Sequence, residues 1–260
     1  MSAPGLSDII KTFKNPSLIL YMAWSDIRAR YKRSVLGPLW ITIGTAFGVV
    51  GLGFIWSELF KQDKATYIPS LTAGLILWQF MASCIAESTS VFTRQANIIK
   101  NLDLPLSLHV AQLALRHTIN IAHNVPLFFI VALILGSPIN LNTLMVIPGF
   151  LLVVGNLFWI SLIFGMMGAR FRDFEYLVAM ILPLLMFLSP VLYRPNALPF
   201  SGKYIWLNPL ANMIEIIRSP LLGEPTPWFL YAVNGGMLLI GGALALAMFN
   251  AKCKRIAFWV

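Results

Sequence analysis

The sequence predicts an all-α membrane protein with six transmembrane helices, an N-terminal amphipathic interface helix, and a re-entrant helix pair between spans five and six. Of the 260 residues, 58% are hydrophobic and 11% are charged, which excludes an ordinary soluble domain. A bilayer core of about 30 Å needs roughly 20 apolar residues per helix. Long uncharged apolar stretches meet this need at residues 34–56, 68–86, 117–169, 177–193 and 226–251.

The longest of these stretches, 117–169, is predicted to hold two spans. The turn-forming sequence Gly136-Ser137-Pro138-Ile139-Asn140 lies near its middle. We find no internal repeat or low-complexity segment, so the chain is predicted to be one membrane domain over residues 1–260.

The positive charges are sorted by side of the membrane. With six spans, most of the 19 Lys and Arg residues fall in the termini and in every second loop. The positive-inside rule assigns that side to the cytoplasm, so both termini are predicted to be cytoplasmic in a multi-pass protein of a bacterial inner membrane. Topology then explains the net charge of +9 without a nucleic-acid partner. The opposite side receives Lys61, Lys64, Arg194, Lys203 and Arg218.

Residues 15–33 are predicted to form the interface helix. Asn15 stands at a capping position and Pro16 at the first helical position. An apolar, Trp-bearing face and a polar, basic face are typical of a helix in the headgroup layer; a helix packed on the spans and facing solvent is the alternative. Gly37-Pro38 then predicts a bend before span one. The apolar face has Leu20, Trp24, Ile27 and Tyr31, and the other has Ser17, Tyr21, Ser25, Arg28 and Lys32.

The loop at residues 94–108 is predicted to contain a short amphipathic cytoplasmic helix, broken near Pro105. Apolar side chains recur there at three- to four-residue spacing. Such a helix can rest on the membrane or dock in a groove of a partner, and the sequence favours neither.

The segment between spans five and six is rich in proline. Asn208-Pro209 predicts a helix start, and Glu215 and Arg218 are spaced to form an ion pair on that helix. The segment is too apolar for a free loop and too short for a complete span. Residues 194–219 are therefore predicted to form two re-entrant helices, with a cap helix on the outer surface as the alternative.

Few residues could carry catalysis. The three histidines, His109, His117 and His123, form no zinc-binding pattern, so no metal site is predicted. Glu87, near the end of span two, is the carboxylate closest to the bilayer core, which indicates a functional site such as a proton site. Its polar neighbours also suit a hydrogen-bonded structural role. An intramembrane transferase using His117, His123 or Glu87 and a proton-coupled carrier depending on Glu87 are two hypotheses.

The chain lacks the sequence elements of an ATPase. No G-x-x-x-x-G-K-[ST] sequence occurs, so the ATPase of an ATP-driven transporter must be a separate polypeptide.

Cys84 falls within a span and Cys253 in the C-terminal tail, so no disulfide is predicted.

Aromatic residues are abundant, and most tryptophans lie near predicted span ends, as in interfacial belts. Any aromatic side chain that instead faces a channel could stack on sugar rings, whose C–H faces are apolar. The candidates are Phe47, Phe54, Trp159, Phe187 and Tyr193.

Three short motifs carry a family resemblance: RYKRSVLGPLW at 30–40, LSPVLY at 188–193 and LNPL at 207–210. With the spans, they resemble the permease subunits of type 2 ABC exporters, in the polysaccharide and O-antigen branch (the Wzm, KpsM and TagG kind). The resemblance covers nearly the whole chain. The absence of a large soluble insertion makes the chain look closest to O-antigen exporters, although capsule exporters can be equally compact.

The resemblance implies a transport subunit rather than an enzyme. Two copies are expected to form a homodimer with two ATP-binding cassette subunits, which bind the ATP and magnesium, so this chain itself needs no cofactor. The interface helix is expected to lie at the cytoplasmic surface, 94–108 to be the coupling helix that docks on the ATPase, and 194–219 to be the periplasmic gate. The coupling residues are expected to be Arg94, Ile98, Ile99, Lys100 and Leu102.

The resemblance also implies the substrate, a glycan on a polyprenyl diphosphate lipid, with O-antigen on undecaprenyl diphosphate exported to the periplasm. Arginine suits bidentate contact with phosphate, but basic residues before span one equally suit topology and membrane lipid anchoring. A capsule or teichoic-acid permease and a small-molecule drug exporter permease are the alternatives. The expected headgroup residues are Arg28, Arg30, Lys32 and Arg33.

Overall fold

A computed structural model describes residues 4–59, 61–195 and 205–260. In these residues the regular structure is helical, with short 3₁₀ turns and no strand. The helices are α1 (Pro4–Phe13), α2 (Pro16–Tyr31), α3 (Leu39–Leu59), α4 (Lys64–Ser88), α5 (Val91–Arg94), α6 (Ala96–Asn101), α7 (Ser107–Ile134), α8 (Val146–Arg170), α9 (Phe174–Leu188), α10 (Pro209–Leu221) and α11 (Trp228–Trp259), with 3₁₀ turns at Leu141–Met145 and Ile205–Leu207.

Five helices in the described part of the chain are long and apolar enough to cross a membrane: α3, α4, α7, α8 with its preceding 3₁₀ turn, and α11. This confirms an all-α, multi-pass membrane protein. The predicted span at 177–193 corresponds to α9, which has 15 residues and is about 22 Å long at 1.5 Å per residue. It ends at Leu188 because Pro190 favours the extended backbone found at Ser189. Since α9 alone is shorter than the bilayer core, the count of six spans stays a prediction.

The bend before the first span is confirmed. Gly37 has a φ of 54°, a left-handed conformation that glycine adopts at little cost, and its N–H donates to the Ser34 hydroxyl at 3.0 Å. α3 begins two residues later, at Leu39.

α4 is the central helix of the bundle, packed against α3, α7, α8, α9 and α10. Glycines permit the closest helix approaches. A Cβ added at Gly168 of α8 would lie 1.8 Å from the Thr89 carbonyl oxygen, and one added at Gly74 of α4 would lie 2.5 Å from that of Val191. The second approach joins α4 to the LSPVLY motif.

The two ends of the described chain lie at the same end of the bundle. In α1, the Gly5 N–H donates to the Asn250 side chain of α11 at 2.8 Å. The Asp8 carboxylate accepts bonds from the N–H groups of Leu106 and Ser107 at 2.8 and 2.9 Å, at the start of α7. α1 therefore ties the start of α7 to the C-terminal part of α11.

The two predicted Asn-Pro helix starts differ in their caps. Asn208 caps α10, with its side chain accepting a bond from the Leu210 N–H at 2.9 Å, as predicted. Asn15 occupies the N-cap position of α2 without capping it. Its amide donates to the Lys11 carbonyl at 3.0 Å, because the preceding helix α1 brings that acceptor within reach.

The packing of α2 differs from the predicted apolar face. α2 lies against α7 through Ile19, Ala23 and Ile27, which are buried. Leu20 and Trp24, predicted to share a face with Ile27, are exposed on the protein surface. The helix therefore presents one apolar face to α7 and separate apolar side chains outward.

The predicted helix at 94–108 is divided. α5 ends at Arg94, α6 covers six residues, and extended backbone at Leu102 separates α6 from α7. The break is wider than the predicted one near Pro105 because a residue before proline disfavours the helical conformation, and because Asp8 fixes the start of α7 separately.

α10 is enclosed by the bundle. Every side chain from Leu210 to Leu221 is buried, and α10 packs against α4, α8 and α11, so it is not a cap helix on the outer surface. The predicted Glu215–Arg218 ion pair is confirmed. The predicted gate segment includes residues 196–204, which lie outside the described residues, so a re-entrant pair stays a prediction.

Candidate functional site

A charged cluster joins α2, α4 and α7 near the end of the bundle that holds both chain ends. At its centre is Glu87, in the last turn of α4, with a side chain 19% exposed. Arg116 of α7 contacts its Oε2 atom, and Arg30 of α2 donates to its Oε1 atom at 3.1 Å. Arg94 and His117 lie 3.9 and 3.6 Å from Oε2. The surrounding cations support a structural role for Glu87 over a proton site.

A second carboxylate, Asp26 of α2, extends this cluster. Arg116 Nη1 lies 3.5 Å from Asp26 Oδ2, and the Gln112 amide donates to the same oxygen at 2.7 Å. Because the Arg116 side chain is only 13% exposed, solvent screens these charges less than at an open surface. We call this cluster the charged junction; its members are Asp26, Arg30, Glu87, Arg94 and Arg116. Its ion pairs connect α2 to α4 and α7.

A polar cavity of about 280 Å³ adjoins the charged junction between α3, α4 and α7. Next to it, the Thr45 hydroxyl donates to Gln79 at 2.9 Å, and the Thr42 hydroxyl to Asn124 at 2.8 Å. Polar side chains thus continue from the junction into the spans. His117, Asn120 and Asn124 are buried, as expected of groups that would be costly in lipid, whereas Arg30 and Ser83 are exposed. The polar lining residues are Arg30, Gln79, Ser83, Glu87, His117, Asn120 and Asn124.

A larger and more open cavity, of about 770 Å³, lies beside α2. Arg28 and Lys32 line it together with Trp24, Tyr31 and His123; we call it the α2 cavity. Of the four predicted headgroup residues, the structure therefore brings two together.

The other two headgroup candidates lie elsewhere. Arg30 points to Glu87 in the charged junction, and Arg33 is an exposed residue that lines neither of these cavities. Arg28 and Arg30 are two positions apart on α2 and point in different directions, and Arg33 lies beyond the end of α2 at Tyr31, which separates the set.

The predicted channel aromatics do not form one group. Phe47 and Phe54 are exposed on α3, and Phe187 is exposed on α9. Trp159 lies between α8 and α11, against Gly241, with its indole N–H bonded to Asn156 at 2.9 Å. Tyr193 is half-buried, and its hydroxyl donates to the Leu188 carbonyl at 3.4 Å.

The predicted coupling residues lie in α6 or within two residues of its ends. Arg94 lies between two carboxylates, 3.9 Å from both Glu87 and Glu175, so it links the region to α4 and α9. Ile99 packs against the core, and Ile98 is half-buried. Lys100 and Leu102 are exposed and form the outward surface of this segment.

The described residues contain no group of three or more His, Cys, Asp or Glu side chains that could hold a metal ion. His123 lines the α2 cavity, with its Nδ1 2.7 Å from the Ile119 carbonyl of its own helix. His117 instead lines the polar cavity. The structure therefore does not bring His117 and His123 together, and a transferase using His117, His123 or Glu87 stays a hypothesis.

Sequence reasoning missed most of the charged junction and the polar cavity, although a signal is present. Polar residues recur every four positions on three helices, which places them on one face of each. The positions are Gln112, Arg116, Asn120 and Asn124 on α7, Gln79, Ser83 and Glu87 on α4, and Asp26 and Arg30 on α2.

Apolar helices long enough to cross a membrane, with a polar cavity between them and a charged junction at one end, define a polytopic membrane protein. Comparison with known proteins specifies the family. The ABC-2 type transporter family matches residues 17–222, and this chain belongs to that family.

Among curated proteins, the chain is similar to two O-antigen export system permease proteins RfbA of Klebsiella pneumoniae. It is 29% identical to one over 250 residues and 28% identical to the other over 246 residues, covering 92% of this chain and 93% of each relative. An O-antigen export system permease protein RfbA of Myxococcus xanthus is 18% identical over 202 residues, covering 78% of both chains. The motifs' resemblance to type 2 ABC permeases is thereby confirmed.

Proposed function

We propose that this chain is the membrane-spanning permease subunit of an ATP-driven exporter, which moves O-antigen on undecaprenyl diphosphate across the inner membrane to the periplasm. The observation that carries the proposal is the match, over nine tenths of both chains, to permeases named for O-antigen export. The family to which the chain belongs supports transport rather than catalysis, and an association with ATP-binding cassette subunits.

In this proposal both chain ends are cytoplasmic. The contact of α1 with Asn250 of α11 supports placing both ends on one side. The sorted Lys and Arg residues support assigning that side to the cytoplasm. The end that holds the charged junction then faces the ATPase, and α10 lies toward the periplasm, where it forms part of the gate.

The α2 cavity receives the diphosphate headgroup. Arg28 and Lys32 supply two positive charges, and Trp24 and Tyr31 supply aromatic surface beside them. Arginine can contact two phosphate oxygens at once through its planar guanidinium group. The cavity is open and lies next to a helix with outward apolar side chains, an arrangement that suits a ligand arriving from the bilayer.

The exposed face of α3 contacts a second copy of the chain, with the channel between the copies. Gly44 and Gly48 have nothing within 4 Å of an added Cβ in the single chain, so another helix can approach closely. Phe47 and Phe54 extend from the exposed part of the same helix and stack on sugar rings of the passing glycan. Phe187 supplies the same surface from α9.

The α6 segment couples transport to ATP hydrolysis. ATP and magnesium bind the two partner ATPase subunits, and the exposed Lys100 and Leu102 dock on them. A movement of α6 reaches the spans through Arg94, which contacts Glu87 of α4 and Glu175 of α9. The charged junction thus transmits the movement to α2, α4 and α7.

Deleting the gene in its native host tests the cargo. We expect loss of O-antigen from the cell surface and accumulation of undecaprenyl-linked glycan inside the cell, both reversed by the wild-type gene. Unchanged surface O-antigen, with loss of capsule or teichoic acid instead, would assign a different cargo to the same permease.

A further inference from the structure

A second basic pocket, outside the export path proposed above, lies between the C-terminal parts of α8 and α11. It has a volume of about 310 Å³, within the range of small-ligand sites. Three cationic side chains line it, and none of its lining residues is acidic. We call this the α8–α11 pocket; its cations are Arg170, Lys252 and Arg255.

These three cations have no ion-pair partner within 4.0 Å among the described residues, whereas such partners are found for Arg30, Lys64, Arg94, Arg116, Arg194 and Arg218. Arg170 lies against aromatic rings instead, with its guanidinium carbon 5.6 Å from the Trp259 ring centroid and 5.9 Å from that of Phe171. All three cations are exposed. The pocket therefore holds uncompensated positive charge.

The apolar part of the pocket lining and the position of the pocket are both suited to binding a lipid. Met166, Met167 and Met248 complete its lining, so apolar surface lies beside the cations. Arg170 is the last residue of α8, a membrane-spanning candidate, which places the pocket at the end of a span. Trp259 adds an aromatic ring of the kind found at the membrane–water interface.

We propose that the α8–α11 pocket binds the headgroup of an anionic phospholipid from the surrounding bilayer, with the phosphate between Arg170, Lys252 and Arg255 and the upper acyl chain on the methionines. Basic pockets between spans are suited to such headgroups. A soluble anion would contact the three cations but would have no apolar part to pack against the methionines. An acidic partner protein would need no pocket at the end of a span.

Native mass spectrometry of the full-length protein in detergent tests this proposal, with phosphatidylglycerol as the probe and phosphatidylcholine and inorganic pyrophosphate as comparisons. We expect wild-type protein to bind phosphatidylglycerol at least tenfold more tightly than phosphatidylcholine, and pyrophosphate not to displace it. The triple variant R170Q/K252Q/R255Q is expected to lose at least tenfold in affinity. The control K11Q/K14Q/K254Q removes equal charge from exposed positions outside the pocket and is expected to stay within twofold of wild type.

Equal binding by wild type and the triple variant overturns the proposal, as does an equal loss in the control or displacement by pyrophosphate. Loss of ATPase-subunit binding in the triple variant, with phosphatidylglycerol binding intact, assigns the pocket to the partner protein instead. If the triple variant does not fold, K252Q and R255Q are measured singly, and each is expected to weaken binding about fivefold. Wild-type affinity in both overturns the proposal.

Discussion

Arg218 and Glu215 form an ion pair inside the bundle, with the Arg218 Nε atom 3.0 Å from Glu215 Oε2 and the Arg218 side chain 1% exposed. The same guanidinium group donates to the carbonyls of Pro190 and Tyr193. The pair therefore joins α10 to the LSPVLY segment, and Asn208 of the LNPL motif joins the same segment by donating to the Ser189 hydroxyl at 3.0 Å.

Breaking this pair is expected to destabilise the protein strongly. Glu215→Gln leaves the Arg218 charge buried with its carboxylate partner removed, which costs about 3–5 kcal/mol. Glu224→Gln is the matched control, because Glu224 pairs with Arg194 at 2.8 Å while 48% exposed, and such pairs contribute about 0–1 kcal/mol. The melting temperature of the purified protein is expected to fall by several degrees for the first variant only. Equal shifts would contradict a buried, structural pair.

Glu87→Gln is expected to weaken the charged junction and reduce both stability and export, because Arg30 and Arg116 lose their shared carboxylate. Glu58→Gln is the control, since it removes an exposed partner of Lys64. Melting temperature and export are measured together. Collapsing the proton gradient while ATP is maintained is expected to leave wild-type export unchanged. A stable Glu87→Gln protein that loses only a gradient-dependent part of transport would favour the proton-coupled carrier instead.

Several features of the fold could be predicted from local sequence, and others depended on packing. Gly37-Pro38 and Asn208-Pro209 mark helix starts because their backbone preferences act locally. Asn15-Pro16 has the same pattern, yet the cap fails, since α1 offers the Asn15 amide a competing carbonyl. α1 itself was not predicted, because its contacts are with residues more than 90 positions away.

Charge-preserving changes separate headgroup binding from topology. Arg28→Lys keeps the charge but removes bidentate phosphate contact, so export is expected to fall severalfold while reporter fusions show unchanged topology. Arg33→Lys is the matched control, because Arg33 is exposed and does not line the α2 cavity. If both variants export at the wild-type rate, Arg28 contributes charge alone.

The close approach of α8 to the end of α4 is expected to be intolerant of a methyl group. Gly168→Ala places its Cβ 1.8 Å from the Thr89 carbonyl oxygen, and relieving that overlap costs about 1–3 kcal/mol or more. Gly235→Ala in α11 meets nothing within 4 Å and is expected to be neutral or to stabilise the helix by up to about 1 kcal/mol. Thermal unfolding distinguishes them, and an unaffected Gly168→Ala protein would rule out this packing.

The candidate site was only partly predictable for a physical reason. Four-residue spacing places Glu87 on a polar face of α4 and Arg116 on one of α7, but spacing does not show that the two faces meet. Likewise, Arg28 and Arg30 are equivalent as charges in the sequence. Helix rotation directs one to the α2 cavity and the other to Glu87, and that rotation is set by the buried contacts of Ile19, Ala23 and Ile27.

Transport in membrane vesicles tests the central claim most directly. Inside-out vesicles containing this chain and its partner ATPase are supplied with undecaprenyl-linked O-antigen on their outer, cytoplasmic face, and glycan that becomes protected inside is measured. The account predicts uptake that requires ATP, magnesium and the partner subunit. Glycan that becomes protected at the same rate without ATP or without the partner would contradict an ATP-driven exporter.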